Sequence, residues 1–232
     1  IPHGLVEILQ QEVEKIWAKE PAWQWDMSPF SGGMKERVEW KLKNKDVPKS
    51  YYRAIIDEEL FVFSIAADLR SYERLTKPEQ QWADSITDIL KVAYKTFQQE
   101  GKFQNDEGWL FQPGVWTDHP DYAYAGHMKK QPSLKPKPVL NIAGDTSYSH
   151  RFPLWLTSLA GAYEKGEPEN VLYCDIKRAL EKQFYEKALV KPENDFPAYR
   201  TTNFMDGHNG LYRWGYQTTG KNNGYGPYEL SG

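Results

Sequence analysis

Three short segments of the sequence place imidazole, carboxylate, phenol and guanidinium side chains close enough together to transfer protons. The first segment is residues 116–127, with the letters WTDHPDYAYAGH, and the second is residues 145–151, DTSYSHR. The third segment is residues 203–214, NFMDGHNGLYRW. Four of the five histidines lie between positions 119 and 208, so we expect any chemistry in the second half of the chain.

The first segment holds two carboxylates, two imidazoles and two phenols within a dozen residues. Such a set can serve as a general acid/base loop, and we predict that Asp118 and Asp121 are catalytic. The residues of this segment predicted to bind substrate are Trp116, Tyr122, Tyr124 and His127. The structural alternative is a pair of turns in which the two aspartates only bond nearby backbone amides.

The second segment places His150 directly before a predicted helix. A positive charge at a helix N-terminus opposes the helix dipole, so the imidazole is expected to be neutral and able to act as a base. We therefore predict that His150 is catalytic and that Arg151 binds substrate, because a guanidinium fork suits a carboxylate or phosphate. The alternative is that Ser147 or Ser149 caps the helix and that His150 is structural.

The third segment is the richest in chemically capable side chains. Its Asp-Gly and Asn-Gly pairs predict tight turns, which would fold Asp206, His208 and Tyr212 onto one loop. We predict these three residues to be catalytic, and Arg213 and Trp214 to bind substrate. Turn formation alone explains the glycines, but it explains the adjacent His, Tyr, Arg and Trp less well.

Several classes of protein are disfavoured by what the sequence lacks. It has no G-x-G-x-x-G, P-loop or G-x-S-x-G motif, which argues against nucleotide binding and serine hydrolysis. The single cysteine, Cys174, excludes a cysteine-rich zinc site, and we predict neither a cofactor nor a metal. A net charge of −3 lacks the basic footprint of a nucleic-acid binder, and no apolar stretch approaches the roughly 20 residues of a membrane helix.

Apolar periodicity predicts a mainly α protein in one domain, residues 1–232. The predicted helices are residues 4–19, 50–74, 76–101, 154–163 and 170–189. Thr76, Pro78 and Glu79 resemble a capping box, with Trp82 first among the apolar residues that follow, so the second and third helices should form an αα-hairpin. The best strand candidate is residues 139–142, and residues 115–116 are a weaker one.

Long irregular segments connect the predicted helices. Residues 21–33, with Trp23 and Trp25, are predicted to form a packed loop, and residues 129–138, with four lysines and three prolines, an exposed one. The tail, residues 191–232, is predicted to be a long ordered loop region. Aromatic residues make up 15% of the chain, and many lie in these loops, which favours some of them lining a groove.

The chain resembles the helical-toroid proteins that process polysaccharides, including (α/α)-barrel glycoside hydrolases and polysaccharide lyases. The resemblance is carried by the hairpin at residues 51–99, the helical pair at residues 152–189, and the segments WTDHPDYAYAGH and FMDGHNGLYRWGY. It covers most of the chain as an architecture and matches no single family. It implies stacked αα-hairpins with aromatic and polar loops at one end, here as a partial (α/α) toroid, because a complete toroid has more helices.

The first functional hypothesis is a glycan-processing enzyme that acts on a polysaccharide or oligosaccharide. In a hydrolase, the acid and base would be two of four aspartates: Asp118, Asp121, Asp145 and Asp206. In a lyase, a loop histidine with Tyr212 would abstract a proton next to a uronate carboxylate, which Arg151 or Arg213 would neutralise. The loop histidines concerned are His127, His150 and His208.

Two other hypotheses stay open. The second is a non-catalytic helical module whose loops bind a glycan or a protein, and the third is a metal-dependent hydrolase using His119, His127 and Asp206. Because the sequence begins at Ile1 rather than Met, we expect a precursor with a signal peptide and a secreted or periplasmic protein. Because residues 229–232 do not resemble a helix terminus, the chain is also expected to continue beyond them.

Overall fold

The computed structural model describes residues 3–76, 83–215 and 223–230. The helices of this part of the chain are α1 His3–Ala18, α2 Gly33–Lys43, α3 Asp57–Thr76, α4 Asp84–Glu100, α5 Thr146–Ser149, α6 Phe152–Gly161 and α7 Pro168–Gln183. Its strands are β1 Gly101–Phe103, β2 Trp109–Phe111, β3 Leu189–Val190 and β4 Arg200–Thr201. They form two small antiparallel hairpins, β1 with β2 and β3 with β4. The prediction of a mainly α protein is confirmed.

The chain forms two compact units, each assembled from three segments. Unit 1 consists of Ile1–Asp46, Ile55–Glu100 and Phe152–Lys177, and therefore holds α1 to α4, α6 and the first part of α7. Unit 2 consists of Val47–Ala54, Gly101–Arg151 and Arg178–Gly232. All three chemically capable segments fall in unit 2, while most of the long helices fall in unit 1.

Helix α3 organises unit 1, because it packs against α1, α4 and α6. Its buried residues include Leu60, Phe63 and Ala67, which recur at the three- and four-residue spacing of one helix face. Trp17 of α1 meets the Phe63 ring edge-on at 6.2 Å, and its indole N–H donates to Asp88 of α4 at 2.8 Å. Burying such large side chains stabilises the fold by roughly 1.5–3 kcal/mol each.

Helix α2 is absent from the sequence prediction because charged residues occupy its inner face. Arg37 and Lys41 are buried beside Val38, and both donate to the same oxygen of the buried Glu59 of α3. Charges at core-facing positions interrupt the apolar period by which an amphipathic helix is recognised. Burial lowers the pKa of Lys41 to about 8.

The helix predicted at residues 50–74 begins later and ends later than expected. Ser50–Arg53 is a separate 3₁₀ turn, and α3 starts at Asp57, where three acidic residues in its first turn suit the helix dipole. Thr76 ends α3 instead of capping the next helix, and its hydroxyl donates to the Tyr72 carbonyl at 2.8 Å. The rest of the expected capping box, together with Trp82, lies outside the described residues.

Both strand predictions are wrong. Residues 139–142 are irregular because Asn141 has a φ of 58°, a left-handed conformation that a strand cannot contain. Residues 115–116 lie in consecutive turns. The strands observed instead have two or three residues each, which is too short to show an alternating pattern.

The predictions for the loops are correct in part. Lys129, Lys130, Lys135 and Lys137 are all exposed, as predicted for the lysine-rich loop. The loop at residues 21–33 buries Ala22, Gln24 and Phe30, but it leaves Trp23 and Trp25 exposed, so the prediction of a packed loop is wrong for the two indoles. Within the described residues, no helix is both long and apolar enough to cross a membrane.

Candidate functional site

The three chemically capable segments meet around one small core in unit 2. Its buried residues are Tyr122, Ala125, Ile142, Phe204 and Tyr212. Backbone bonds join the segments: Asp145 pairs with Phe204 as an isolated antiparallel bridge, and the Arg213 N–H donates to the Asp121 carbonyl at 2.8 Å. Residues from distant parts of the sequence are thus held side by side without a regular sheet.

Asp145 is the most heavily hydrogen-bonded carboxylate of this region. One oxygen, Oδ2, accepts from the Tyr122 hydroxyl at 2.8 Å and from the Tyr212 hydroxyl at 3.2 Å. The other accepts from the Ser147 hydroxyl and from the Tyr148 N–H at 3.2 Å, which caps α5. Burial, and then the Asp145 charge, raise the pKa of both Tyr122 and Tyr212. The two phenols therefore stay protonated and act as donors.

Asp121 is held by Arg213 through one oxygen only. Its side chain is buried, and Oδ2 accepts from Arg213 Nε at 2.9 Å. Its other oxygen, Oδ1, is also buried, and no group in the described part of the chain bonds to it. A buried carboxylate oxygen without a donor is costly, and such an atom in a folded protein calls for a functional explanation.

His119 lies beside this carboxylate and is surrounded by aromatic rings. Its Nδ1 accepts from the Asp121 N–H at 3.2 Å, which assigns the proton of the neutral ring to Nε2. The rings of Tyr51 and Trp116 meet it edge-on at centroid distances of 4.8 and 5.3 Å. Burial lowers the pKa of His119, so the imidazole is neutral at pH 7. The sequence suggested this residue only as a metal ligand.

Two of the predicted catalytic carboxylates hold backbone turns. Asp118 accepts from the Ser50 N–H at 2.7 Å and from the Ser50 hydroxyl at 2.6 Å, which fixes the 3₁₀ turn at Ser50–Arg53. Asp206 accepts from the Ala143 N–H at 3.1 Å and from the His208 N–H at 2.9 Å. The bond from the His208 N–H to Asp206 is a local turn bond, as in the structural alternative. Asp118 is also structural, but the turn that it holds lies 68 positions away in the sequence.

The predicted histidines also bond to backbone carbonyls. His150 Nδ1 lies 2.6 Å from the Ser147 carbonyl, His208 Nε2 lies 2.7 Å from that of Ala125, and His127 Nε2 lies 2.8 Å from that of Lys135. His150 lies two residues before α6, close to a helix N-terminus as expected, but it is also the C-terminal cap of α5. The N-terminus of α5 is capped by Asp145 and not by a serine.

The residues predicted to bind substrate are all buried or half-buried. Trp116 is half-buried and stacks on Tyr122 at 5.7 Å, while Trp214 is buried with an indole N–H that no described group accepts. Arg151 and Arg213 both lie over the ring of Tyr148, at 5.0 and 5.8 Å. Tyr124 is half-buried, with its ring 6.3 Å from that of His127.

Sequence reasoning did not select three residues that the structure brings to this site. His119 appeared only as a possible metal ligand, Asp145 only as one of four candidate acids or bases, and Tyr148 only as a member of the second segment. The N-cap position of Asp145 has a local signal, since it directly precedes a short helix. Its hydrogen bonds to Tyr122 and Tyr212 leave no local signal in the sequence, because these residues lie 23 and 67 positions from Asp145.

Within residues 3–76, 83–215 and 223–230, no group of three or more His, Cys, Asp or Glu side chains is placed to hold a metal ion. His127 and Asp206 of the metal-dependent alternative each bond to a different stretch of backbone. Comparisons of the chain with protein-family models, with curated proteins and with solved structures find no match.

Proposed function

We propose that unit 2 carries a glycan-processing site that works by acid/base chemistry, with Asp121 as its reacting carboxylate. One observation carries the proposal: of the four aspartates considered, only Asp121 combines burial with an oxygen that no described group bonds. Asp118, Asp145 and Asp206 use both of their oxygens to hold backbone or hydroxyl groups.

The geometry around Asp121 suits a proton-transfer group. Arg213 fixes the orientation of the carboxylate through Oδ2. In this proposal the side chains that cover the buried Oδ1 move aside, so that it can exchange a proton with a substrate hydroxyl, a glycosidic oxygen or a water molecule. His119, neutral and fixed in one tautomer, lies against the same side chain, with its Nδ1 4.0 Å from Asp121 Oδ2. In this proposal His119 is a positioning residue, because its Nδ1 bonds to the Asp121 main chain.

A sugar fits the side chains that surround this group. Tyr148 and Tyr225 are partly exposed, at 39% and 38%, and Trp116 is half-buried, so aromatic faces are accessible in unit 2. Aromatic rings offer an apolar face to the C–H groups of a sugar, while Arg213 and the tyrosine hydroxyls can bond to its oxygens. A partial (α/α) toroid of stacked hairpins and a secreted location belong to the same proposal.

Between the two enzymatic versions, the tyrosine environment favours a hydrolase. A lyase of the kind described above needs a group such as Tyr212 to take up a proton. Burial and the Asp145 charge raise the pKa of Tyr212, which makes the phenolate harder to form. Carboxylates are the usual acids and bases of glycoside hydrolysis, and Asp121 supplies one.

A non-catalytic glycan-binding module is the second candidate, and a specific observation favours it. It expects acidic residues to shape the loops, and Asp118, Asp145 and Asp206 all do so. Under this reading, the open oxygen of Asp121 accepts a hydrogen bond from a bound sugar hydroxyl and takes part in no reaction.

A substrate screen separates the candidates. The full chain is incubated with a panel of neutral and acidic polysaccharides, and both new reducing ends and the ultraviolet absorbance of unsaturated products are measured. Reducing ends without unsaturated products support the hydrolase, whereas unsaturated products contradict the preference for it. Binding to a polysaccharide of the panel with neither product would replace the enzyme by the binding module.

A further inference from the structure

The lysine-rich loop, residues 129–138, concentrates positive charge on one part of unit 2. Residues 122–144 contain four lysines and no aspartate or glutamate. Lys130 is paired with Glu229. The ammonium groups of Lys129, Lys135 and Lys137 are exposed, and no group in the described part of the chain pairs with them. Three positive charges of this loop are therefore left without a carboxylate.

The backbone of the lysine-rich loop is fastened to the first segment. The Gly126 N–H donates to the Lys137 carbonyl at 2.8 Å, and the Lys137 N–H donates to the Ala123 carbonyl at 2.7 Å. His127 Nε2 lies 2.8 Å from the Lys135 carbonyl. The three prolines of the loop restrict its backbone further. Two of the unpaired lysines therefore have fixed positions beside the segment that carries the proposed acid/base group.

The side chain of Lys137 is also held in place. A Cβ at position 126 would lie 2.8 Å from Lys137 Cγ and 2.9 Å from its Cδ, so only a glycine at this position leaves room for the lysine stem. The methylenes of a lysine can lie along a backbone in this way while its ammonium group stays in water. A side chain that is ordered beforehand loses less entropy when it binds a partner.

Charge and position together select the kind of ligand. Unpaired ammonium groups attract carboxylates and sulfates. A nucleic acid would require a broader basic surface, whereas the net charge of the chain is −3. A lipid surface would require apolar side chains at the turn of the loop, but residues 131–133 are Gln, Pro and Ser, Leu134 is half-buried, and the exposed Met128 lies close to the bond that closes the loop.

We propose that the polymer bound by unit 2 is an acidic polysaccharide, whose carboxylates or sulfates pair with the lysine-rich loop while the first segment presents Asp121. The inference rests on the function proposed for unit 2, because it names the substrate class of that site. The Asp121 charge does not oppose such a ligand, since Arg213 is bound to it.

The test is electrophoresis of the full chain through native gels that contain an acidic polysaccharide. Polygalacturonate, alginate and hyaluronan carry carboxylates, and each is compared with its methyl-esterified form. Carrageenan carries sulfates and is compared with agarose. At least one acidic polymer should slow the wild-type protein more than its neutral counterpart does, and added salt should relieve the retardation. Single-stranded DNA and phosphatidylglycerol vesicles are tested in parallel.

Two triple variants show whether the loop is responsible. The test variant replaces the unpaired lysines of the loop: Lys129→Gln, Lys135→Gln and Lys137→Gln. The control variant makes the same change in net charge at exposed lysines of unit 1 that no described group pairs: Lys91→Gln, Lys95→Gln and Lys165→Gln. The test variant should bind the acidic polymer about tenfold more weakly, and the control should bind as the wild type does. Equal urea midpoints would verify that both variants fold.

Reducing ends released from the same polymers are measured separately, so that binding and reaction are distinguished. Loop-dependent binding of an acidic polymer without cleavage would support the acidic ligand and contradict the acid/base function. The inference is overturned if an acidic polymer and its neutral form slow the wild type equally, or if only a neutral polymer is cleaved. It is also overturned if the test variant binds undiminished, if the control loses as much binding, or if only DNA or vesicles bind.

Discussion

Arg213 holds Asp121 at two points, although the residues are 92 positions apart. Its Nε donates to the carboxylate at 2.9 Å, and its backbone N–H donates to the Asp121 carbonyl at 2.8 Å. Arg213 does so from a left-handed backbone conformation, with a φ of 54°. The first and third segments therefore fix each other, and the orientation of the Asp121 carboxylate depends on both.

Replacing Arg213 by Met should lower the free energy of unfolding by about 2 kcal/mol, because it leaves the buried Asp121 charge without its partner. The effect should fall below that of a fully buried pair, since the Arg213 side chain is 26% exposed and partly screened by solvent. Urea unfolding measures the change. Lys43→Met, which removes an exposed ion pair with Glu39 on α2, should change stability by under about 0.5 kcal/mol. Equal midpoints for the two variants would contradict the assigned role of Arg213.

Tyr122→Phe and Tyr212→Phe each remove one donor from Asp145 Oδ2 and should each cost about 1–2 kcal/mol. In either single variant the other phenol still satisfies the oxygen. The double variant leaves Oδ2 without a hydroxyl donor, so its cost should exceed the sum of the single costs. A double-mutant cycle by urea unfolding measures this coupling, and strict additivity would show that the two hydroxyls do not share the carboxylate.

Stability should rise with pH between about 8 and 10.5 through Lys41. Burial lowers the pKa of the folded-state amine to about 8 from 10.5, so over this interval the unfolded chain binds more protons than the folded one. Linkage then makes the free energy of unfolding increase with pH. Lys41→Met removes this contribution while preserving side-chain length. The stability of the wild type relative to Lys41→Met should therefore improve from pH 7.5 to pH 10, and a constant difference would mean that the amine is not perturbed.

Gly210→Ala should destabilise the protein severely, by more than about 3 kcal/mol. A Cβ at this position would lie 1.5 Å from the carbonyl oxygen of Ala125, a backbone atom that cannot move aside as a flexible side chain can. Gly144→Ala is the matched control, because its nearest neighbour, Ser149 Oγ, is 3.8 Å away. Thermal unfolding compares the two, and a Gly210→Ala variant as stable as Gly144→Ala would exclude this close approach of the first and third segments.

The sequence predicts helices correctly where apolar residues dominate the core-facing positions, and it misses a helix where charged residues interrupt that pattern. The period in α1 and in α7 is enough to locate both helices, whereas α2 is missed because Arg37 and Lys41 take core positions and are satisfied by Glu59 of another helix. Such a pairing between distant residues leaves no local pattern. The same limit applies to Asn141, whose left-handed φ ends a predicted strand.

In the candidate site, the sequence identifies the three segments but does not show which residue in each has which role. Residue type alone cannot separate Asp121 from Asp118, which lie three positions apart in one loop. The difference is tertiary: Asp118 meets the N–H and hydroxyl of Ser50, while Asp121 meets Arg213. The sequence also suggests Asp145 as a possible acid or base. In the structure its carboxylate accepts hydrogen bonds from the hydroxyls of Tyr122 and Tyr212 and holds the three segments together.

Asp121→Asn tests the central claim most directly, with Asp118→Asn as its control. Turnover of the polysaccharide identified by the substrate screen is measured as kcat/KM for both variants, and circular dichroism verifies that each is folded. The account predicts a loss of about 10²-fold or more for Asp121→Asn and a far smaller loss for Asp118→Asn. Undiminished turnover by a folded Asp121→Asn protein would contradict it.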